Sequence, residues 1–132
     1  MKFFKYNEFN CSCCGKNSGR ENMNKEFLEF LDLLRSKCKF PFRVTSGFRC
    51  KNKQQQLIDD PRYTASKNSS HCLGLAADIA ISDNRKRALF IGYAMEITSE
   101  IDLPFRCGIS GKQGFIHIDV DTKKASPRLW VY

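Results

Sequence analysis

Hydrophobic residues recur along this chain with two different periods, and the change of period marks out its elements. In NKEFLEFLDLLRSK, Asn24 to Lys37, the residues Phe27, Phe30, Leu31 and Leu34 fall at helical spacing, with Glu26, Glu29 and Asp32 on the remaining positions. An amphipathic helix packed on a core is expected there. Pro41 ends it, and FRVTSGFR reads as a short strand running into a turn at Gly47. The stretch KNKQQQLIDDPRYTASKNSS that follows is polar and suits the surface, with room for a short helix before a loop that reaches Ser70. LGLAADIAI then alternates, placing Leu75, Ala77, Ile79 and Ile81 on one strand face and Ala76, Asp78 and Ala80 on the other. A second helix of about four turns opens at Ser82 or Asp83 as N-cap, with Ala88, Ile91 and Met95 on one side. Finally FRCGISGKQGFIHIDVD holds two alternating runs around a glycine-flanked turn, the signature of an antiparallel hairpin.

The order helix, strand, loop, strand, helix, hairpin predicts an α+β fold with helices packed on a small, largely antiparallel sheet. At 132 residues the chain suits a single domain, with residues 1–22 a cysteine-containing N-terminal extension. The opening MKFFKYNEFNCSCCGKN breaks its apolar run with Lys, Asn and Glu, so it lacks the core of a signal peptide. No segment approaches the ~18 apolar residues of a membrane span. Synthesis as a soluble cytoplasmic monomer is therefore expected.

Charge changes the picture of partners. With 22 Lys+Arg against 14 Asp+Glu the net charge is +8, which favours anionic partners such as nucleic acid, acidic lipid or a wall polymer. The cations Arg49, Lys51, Lys53, Arg85, Lys86 and Arg87 accompany no nucleic-acid motif and read as dispersed solvated charge, so no specific nucleic-acid partner is expected. Seven cysteines in such a chain read as thiols. Cys11, Cys13 and Cys14 cluster, with Cys38 and Cys50 further on, which raises a structural zinc. Against it, the C-x-C-C spacing has no second C-x-x-C pair, and small buried hydrophobes are the commoner fate of free cysteine.

The candidate chemistry sits on the two histidines. In GFIHIDVD a period of two puts Phe115, His117, Asp119 and Asp121 on one face and Ile116, Ile118 and Val120 on the other. The apolar set faces the core, which sends His117 to the opposite surface with two carboxylates. In SSHCLGLAADIAI the separation of His71 from Asp78 fits one helix face as well as a metal-binding loop. The break at Gly74, the alternation after it, and the small Ala76 and Ala80 beside the carboxylate favour loop and strand. A catalytic zinc takes three N/O protein ligands and keeps one open position, a set that His71, Asp78 and His117 would supply.

SSHCLGLAAD also resembles the S-x-H-x-x-G-x-A-x-D signature of the zinc DD-peptidases: the D-alanyl-D-alanine carboxypeptidases and phage endolysin peptidases of the hedgehog/DD-peptidase fold. Its fixed positions here are Ser69, His71, Gly74, Ala76 and Asp78. VTSGFRC is similar to that family's T-S-G-[YF]-R element and GFIHIDV to its last ligand strand, so the resemblance spans roughly residues 25 to 120. It implies zinc held by His71, Asp78 and His117, and gives Arg49 the family's arginine role, holding a peptide carboxylate or the oxyanion of the attacked carbonyl. Ser46 and Ser69 then hold loops or orient ligands, while Ser69, Phe115 and Trp130 are placed to line a substrate groove. Many members carry a glutamate base three residues before the last histidine, and here that position is Gly114. Asp119 becomes the nearest candidate base, its alternative role being to orient a ligand histidine; Asp121 and Glu100 are weaker alternatives. Some related murein endopeptidases share Gly-Phe-x-His-x-Asp and a later Arg-x-Trp, which compares with Arg128 and Trp130. The implied activity is zinc-dependent hydrolysis of D-amino-acid-containing stem or cross-link peptides of peptidoglycan, as carboxypeptidase or endopeptidase. A phage-type enzyme released to the cell wall, or carried in a virion, fits the absent signal peptide. The alternative is a catalytically silent wall-binding or virion module on the same fold, a reading that Gly114 sustains.

Overall fold

The computed structural model describes residues 1–132. Its elements are a one-turn 3-10 helix at Tyr6–Phe9, α1 Ser18–Asn22, α2 Lys25–Cys38, β1 Arg43–Ser46, α3 Lys51–Asp59, a 3-10 turn at Ser70–Leu73, β2 Ala76–Ala80, α4 Asn84–Glu100, β3 Arg106–Ser110, β4 Phe115–Asp119 and β5 Arg128–Val131. The α+β class and the largely antiparallel sheet expected from the sequence are found. The strands order as β1-β2-β4-β3-β5, antiparallel throughout except that β5 runs parallel to β3.

Local chemistry sets the helix starts. The Asn24 side chain accepts from the Phe27 N–H at 2.9 Å, and the Asp83 side chain accepts from the Lys86 N–H at 2.8 Å, so each caps an otherwise unpaired amide. α2 buries Phe27, Leu28, Phe30, Leu31, Leu34 and Cys38, and α4 buries Phe90, Ala94 and Ile97. These two helices pack on each other and share one core with Ala77, Ile79, Cys107, Ile116, Ile118 and Val120 of the sheet and its margin. No helix is long and apolar enough to cross a membrane.

Three features depart from the sequence reading. The segment expected as an N-terminal extension is built into the core: Phe4, Phe9 and Cys11 are buried, and the Phe48 N–H donates to the Phe9 carbonyl at 2.9 Å. The edge strand β5 is additional, reached through a turn with a cis Ser126–Pro127 bond. The polar face of the hairpin is not a solvent surface, because His117, Asp119 and Asp121 are only 8%, 1% and 2% exposed. A period of two separates faces, but it does not say which of them water reaches.

Candidate metal centre and cleft

The site lies where β2 and β4 pair in the middle of the sheet. Asp78 stands directly opposite His117 in that ladder, so a one-residue slip of either strand would send its own ligand to the helix-packed face and separate the pair. His71 enters from the 3-10 turn before β2. Its turn starts at Ser69, whose Oγ accepts from the His71 N–H at 3.2 Å. It stops at Gly74, where φ is +70° and an added Cβ would meet the Asn22 carbonyl oxygen at 1.9 Å. A glycine is required there on both counts.

The three side chains turn their donor atoms toward a common point. His71 Nε2 lies 3.2 Å from Asp78 Oδ1 and 3.2 Å from His117 Nδ1, and His117 Nδ1 lies 3.1 Å from Asp78 Oδ1. The outer ring nitrogens explain why the inner ones are available. His71 Nδ1 is 2.7 Å from the Gly47 carbonyl, which only accepts, so Nδ1 carries the hydrogen and Nε2 keeps its lone pair. His117 Nε2 is 2.7 Å from Asp119 Oδ2, which fixes the opposite tautomer and frees Nδ1. Two imidazole lone pairs and one carboxylate oxygen, mutually 3.1–3.2 Å apart, match the ~3.3 Å spacing of N/O ligands that each lie about 2.0 Å from a tetrahedral zinc. The donor set therefore fits zinc in number, type, tautomer and spacing.

Titration follows the same contacts. Burial pushes His71 below its ordinary value, more than the facing Asp78 carboxylate raises it. Burial also works against protonated His117, yet the bonds to Asp119 and Asp78 outweigh it and hold the ring above its usual value. Burial would raise Asp78, but the two histidines facing it hold its carboxyl well below the usual range. Asp119 behaves likewise: burial opposes its charge, and His117, the Asp121 N–H and Arg106 overcome that and keep it low.

Arg49, expected to face substrate, first serves the protein. Its Nη2 donates to Asp78 Oδ2 at 2.8 Å, its Nε to Ser46 Oγ at 2.9 Å and its Nη1 to Gln54 Oε1 at 3.2 Å. The fork thus holds Asp78 by the oxygen that the histidines do not use, and part of it is left unpaired where it lines the cleft. Asp119 has both oxygens committed: Oδ2 to His117, and Oδ1 to Arg106 Nε at 2.9 Å and to the Asp121 N–H at 3.1 Å. It sits behind His117, at the ring nitrogen that faces away from the donor centre. Asp121 is buried against Ser70 Oγ at 2.8 Å, Glu100 is exposed at the end of α4, and neither lines the cleft. Gly114 is in the turn between β3 and β4 with φ +69°, so the position that carries a glutamate in many relatives of the motif favours a glycine in this turn.

A cleft of about 900 Å³ opens over this centre, lined among others by Ser69, Phe115, Trp130 and Tyr132. The Trp130 ring lies 5.6 Å from the His117 ring, with the Arg106 guanidinium 5.1 Å from it. Trp130 pairs with Gly108 across β3 and β5. A Cβ on Gly108 would fall 2.2 Å from the indole Nε1, so the missing side chain makes the seat for the ring. The basic residues Arg49, Lys53, Arg62, Arg106, Lys112 and Lys124 line the cleft against two carboxylates, Asp78 and Asp119, both already paired. Sequence reasoning missed Gln54, Arg106 and the Gly47 carbonyl. Of these, Arg106 carried a signal, since a four-residue turn between the hairpin strands sets it opposite Asp119.

A family model described as Peptidase M15 matches residues 2–119, reaching back through the segment that the sequence set apart as an extension. Among solved structures, the crystal structure of the L-Ala D-Glu endopeptidase of Serratia marcescens is similar in fold, with a TM-score of 0.64 and 14% identity, covering 78% of this chain and 84% of that one. No curated protein sequence matches.

Proposed function

This chain belongs to the peptidase M15 family, and from that premise we propose that it is a zinc-dependent peptidase cleaving D-amino-acid-containing peptide bonds of bacterial peptidoglycan. The observation that carries the reading is the convergence of His71 Nε2, Asp78 Oδ1 and His117 Nδ1, with both histidine tautomers fixed from behind. Zinc held there supplies a Lewis acid that polarises the scissile carbonyl and acidifies a water. Gly47 and Asp119 fix the ring tautomers that aim the imidazole lone pairs at the centre, and Arg49 keeps Asp78 turned toward them. The unpaired part of the Arg49 fork is placed to hold a substrate carboxylate or the developing oxyanion. Ser69 holds the His71 backbone, while Phe115, Trp130 and Tyr132 wall the cleft. Asp119 acts by orienting His117, since its oxygens are both engaged away from the donor centre.

The cationic lining selects a peptide that bears free carboxylates, as peptidoglycan stem peptides do. The fold of the Serratia marcescens L-Ala D-Glu endopeptidase supports action on an internal bond, and carboxypeptidase action on a terminal D-alanine is the competing specificity. We place the protein at the wall, made in the cytoplasm and released, or carried in a virion, with its net charge of +8 suited to an anionic polymer. One observation favours a second reading as a wall-binding module without turnover: no unpaired carboxylate lines the cleft.

The test is incubation of zinc-loaded protein with defined muropeptides, with and without chelator, and mass spectrometry of the products. Zinc-dependent cleavage that disappears in His117→Ala supports the peptidase, and the product masses name the bond. Binding to peptidoglycan without cleavage establishes the module instead.

A further inference from the structure

Outside the histidine centre, four cysteines gather on two segments distant in sequence. All seven thiols of the chain are free. The sulfurs of Cys11, Cys14 and Cys50 lie within 4.8 Å of one another, Cys11 and Cys50 are 3.7 Å apart, and Cys13 sits on the same turn, its N–H 3.4 Å from Cys11 Sγ. The first segment brings three of them together through a tight turn. The Gly15 N–H donates to the Cys11 carbonyl at 3.1 Å, and Gly15 takes φ +73°, which lets the chain reverse directly after Cys14. The second segment delivers Cys50 as the N-cap of α3.

Backbone amides are aimed at the sulfurs. The N–H groups of Cys13 and Cys50 each lie 3.4 Å from Cys11 Sγ, and the Lys53 N–H lies 3.4 Å from Cys50 Sγ. Donors placed this way stabilise thiolate in preference to thiol, and thiolate is the form that ligates metal. Four sulfurs about 2.3 Å from one tetrahedral zinc stand about 3.8 Å apart, and the Cys11–Cys50 separation of 3.7 Å matches that edge. We infer that Cys11, Cys13, Cys14 and Cys50 bind a structural zinc ion, the thiol protons passing to solvent as it is taken up.

Such a site has no open position and does no hydrolysis. It fastens the N-terminal segment to the loop that shapes the cleft. Arg49 precedes Cys50 directly, Phe9 bonds to Phe48, and the carbonyl of the preceding Gly47 orients His71. The inference stands independently of the peptidase reading.

The experiment uses the full chain purified under a phosphine reductant, with His71→Ala and His117→Ala combined so that the histidine centre is gone. Plasma mass spectrometry is expected to find about one zinc per chain in this variant, and none once Cys13→Ser and Cys14→Ser are added. Both of those cysteines are exposed, so their loss spares the core. Cobalt(II) is expected to give thiolate-to-metal absorption in the near ultraviolet in the first variant and not in the second, while Cys38→Ala leaves the signal intact. On the double-histidine variant, a chelator should speed thiol-reagent attack on Cys13 and Cys14 at least tenfold. A double-histidine variant that holds no zinc, zinc that persists without Cys13 and Cys14, or thiol reactivity indifferent to the chelator each overturns the inference.

Discussion

Replacing Asp119 by Asn tests how the histidine centre is held. The substitution keeps the size of the side chain and removes its charge. In the native protein that charge receives the His117 Nε2–H at 2.7 Å and faces Arg106 at 2.9 Å, with 1% of the Asp119 side chain exposed. Two costs follow. The neutral amide accepts more weakly from His117, so the ring is less firmly fixed with Nδ1 inward; losses of this kind weaken metal affinity about 10–100-fold, or about 1.4–2.8 kcal/mol. The Arg106 guanidinium, 13% exposed, loses its ionic partner. Deleting one partner of a buried pair outright costs about 3–5 kcal/mol, and an amide that still accepts from Arg106 should bring this to about 1–3 kcal/mol. Zinc affinity is measured by competition with a chromophoric chelator in a Cys13→Ser/Cys14→Ser background, and stability by urea titration. Muropeptide turnover at saturating zinc is then compared with the parent. The expected pattern is weakened zinc binding with turnover largely restored once zinc is saturating. Zinc binding within twofold of the parent, with turnover lost by orders of magnitude, would refute the orienting role and return Asp119 to proton transfer.

Further outcomes follow from the packing. Phe9→Ala removes a fully buried ring from a residue whose backbone bonds to Phe48, next to the Gly47 carbonyl; it should cost about 3–5 kcal/mol in urea titration and, by loosening that segment, lower zinc affinity at His71. Gly108→Ala puts a methyl group into the Trp130 indole; displaced aromatic packing should raise KM for muropeptides more than it lowers kcat, with about 1–3 kcal/mol lost in stability. Gly114→Glu places a side chain at φ +69°, so it should destabilise by about 1–2 kcal/mol and leave turnover no faster, although it rebuilds the glutamate spacing seen in the motif's relatives.

The sequence announces its elements wherever burial and period coincide. α2 and α4 carry apolar residues at helical spacing with side-chain caps at Asn24 and Asp83, so both were readable, as was the hairpin from its two alternating runs. The buried face of α4, however, is Phe90, Ala94 and Ile97, whereas Ala88 and Met95 of the expected side are exposed. His71, Asp78 and His117 were legible as a ligand set because the motif places them, and the structure brings their donor atoms together. Less could be read where contacts depend on chain segments far apart. β5 pairs in parallel with β3, and four residues hold no signal for a partner reached through another turn. Phe4 and Phe9 stand among polar neighbours without period, so nothing local shows that they enter the core. The role of Asp119 turned on Arg106, whose relevance appears only once the hairpin register is drawn. Cys50 shows the same limit most plainly, since a C-x-C-C run with its fourth thiol 36 positions further on does not read as one cluster.

Trp130 is the only tryptophan of the chain, and its ring is seated 5.6 Å from that of His117. The protein therefore carries its own optical probe at the histidine centre, with no second indole to blur the signal. Cobalt(II) or copper(II) entering beside His117 drains the excited indole, whereas zinc, with its filled d shell, does not. Displacement of one by the other becomes visible as recovered emission, so occupancy can be followed in real time on unlabelled protein.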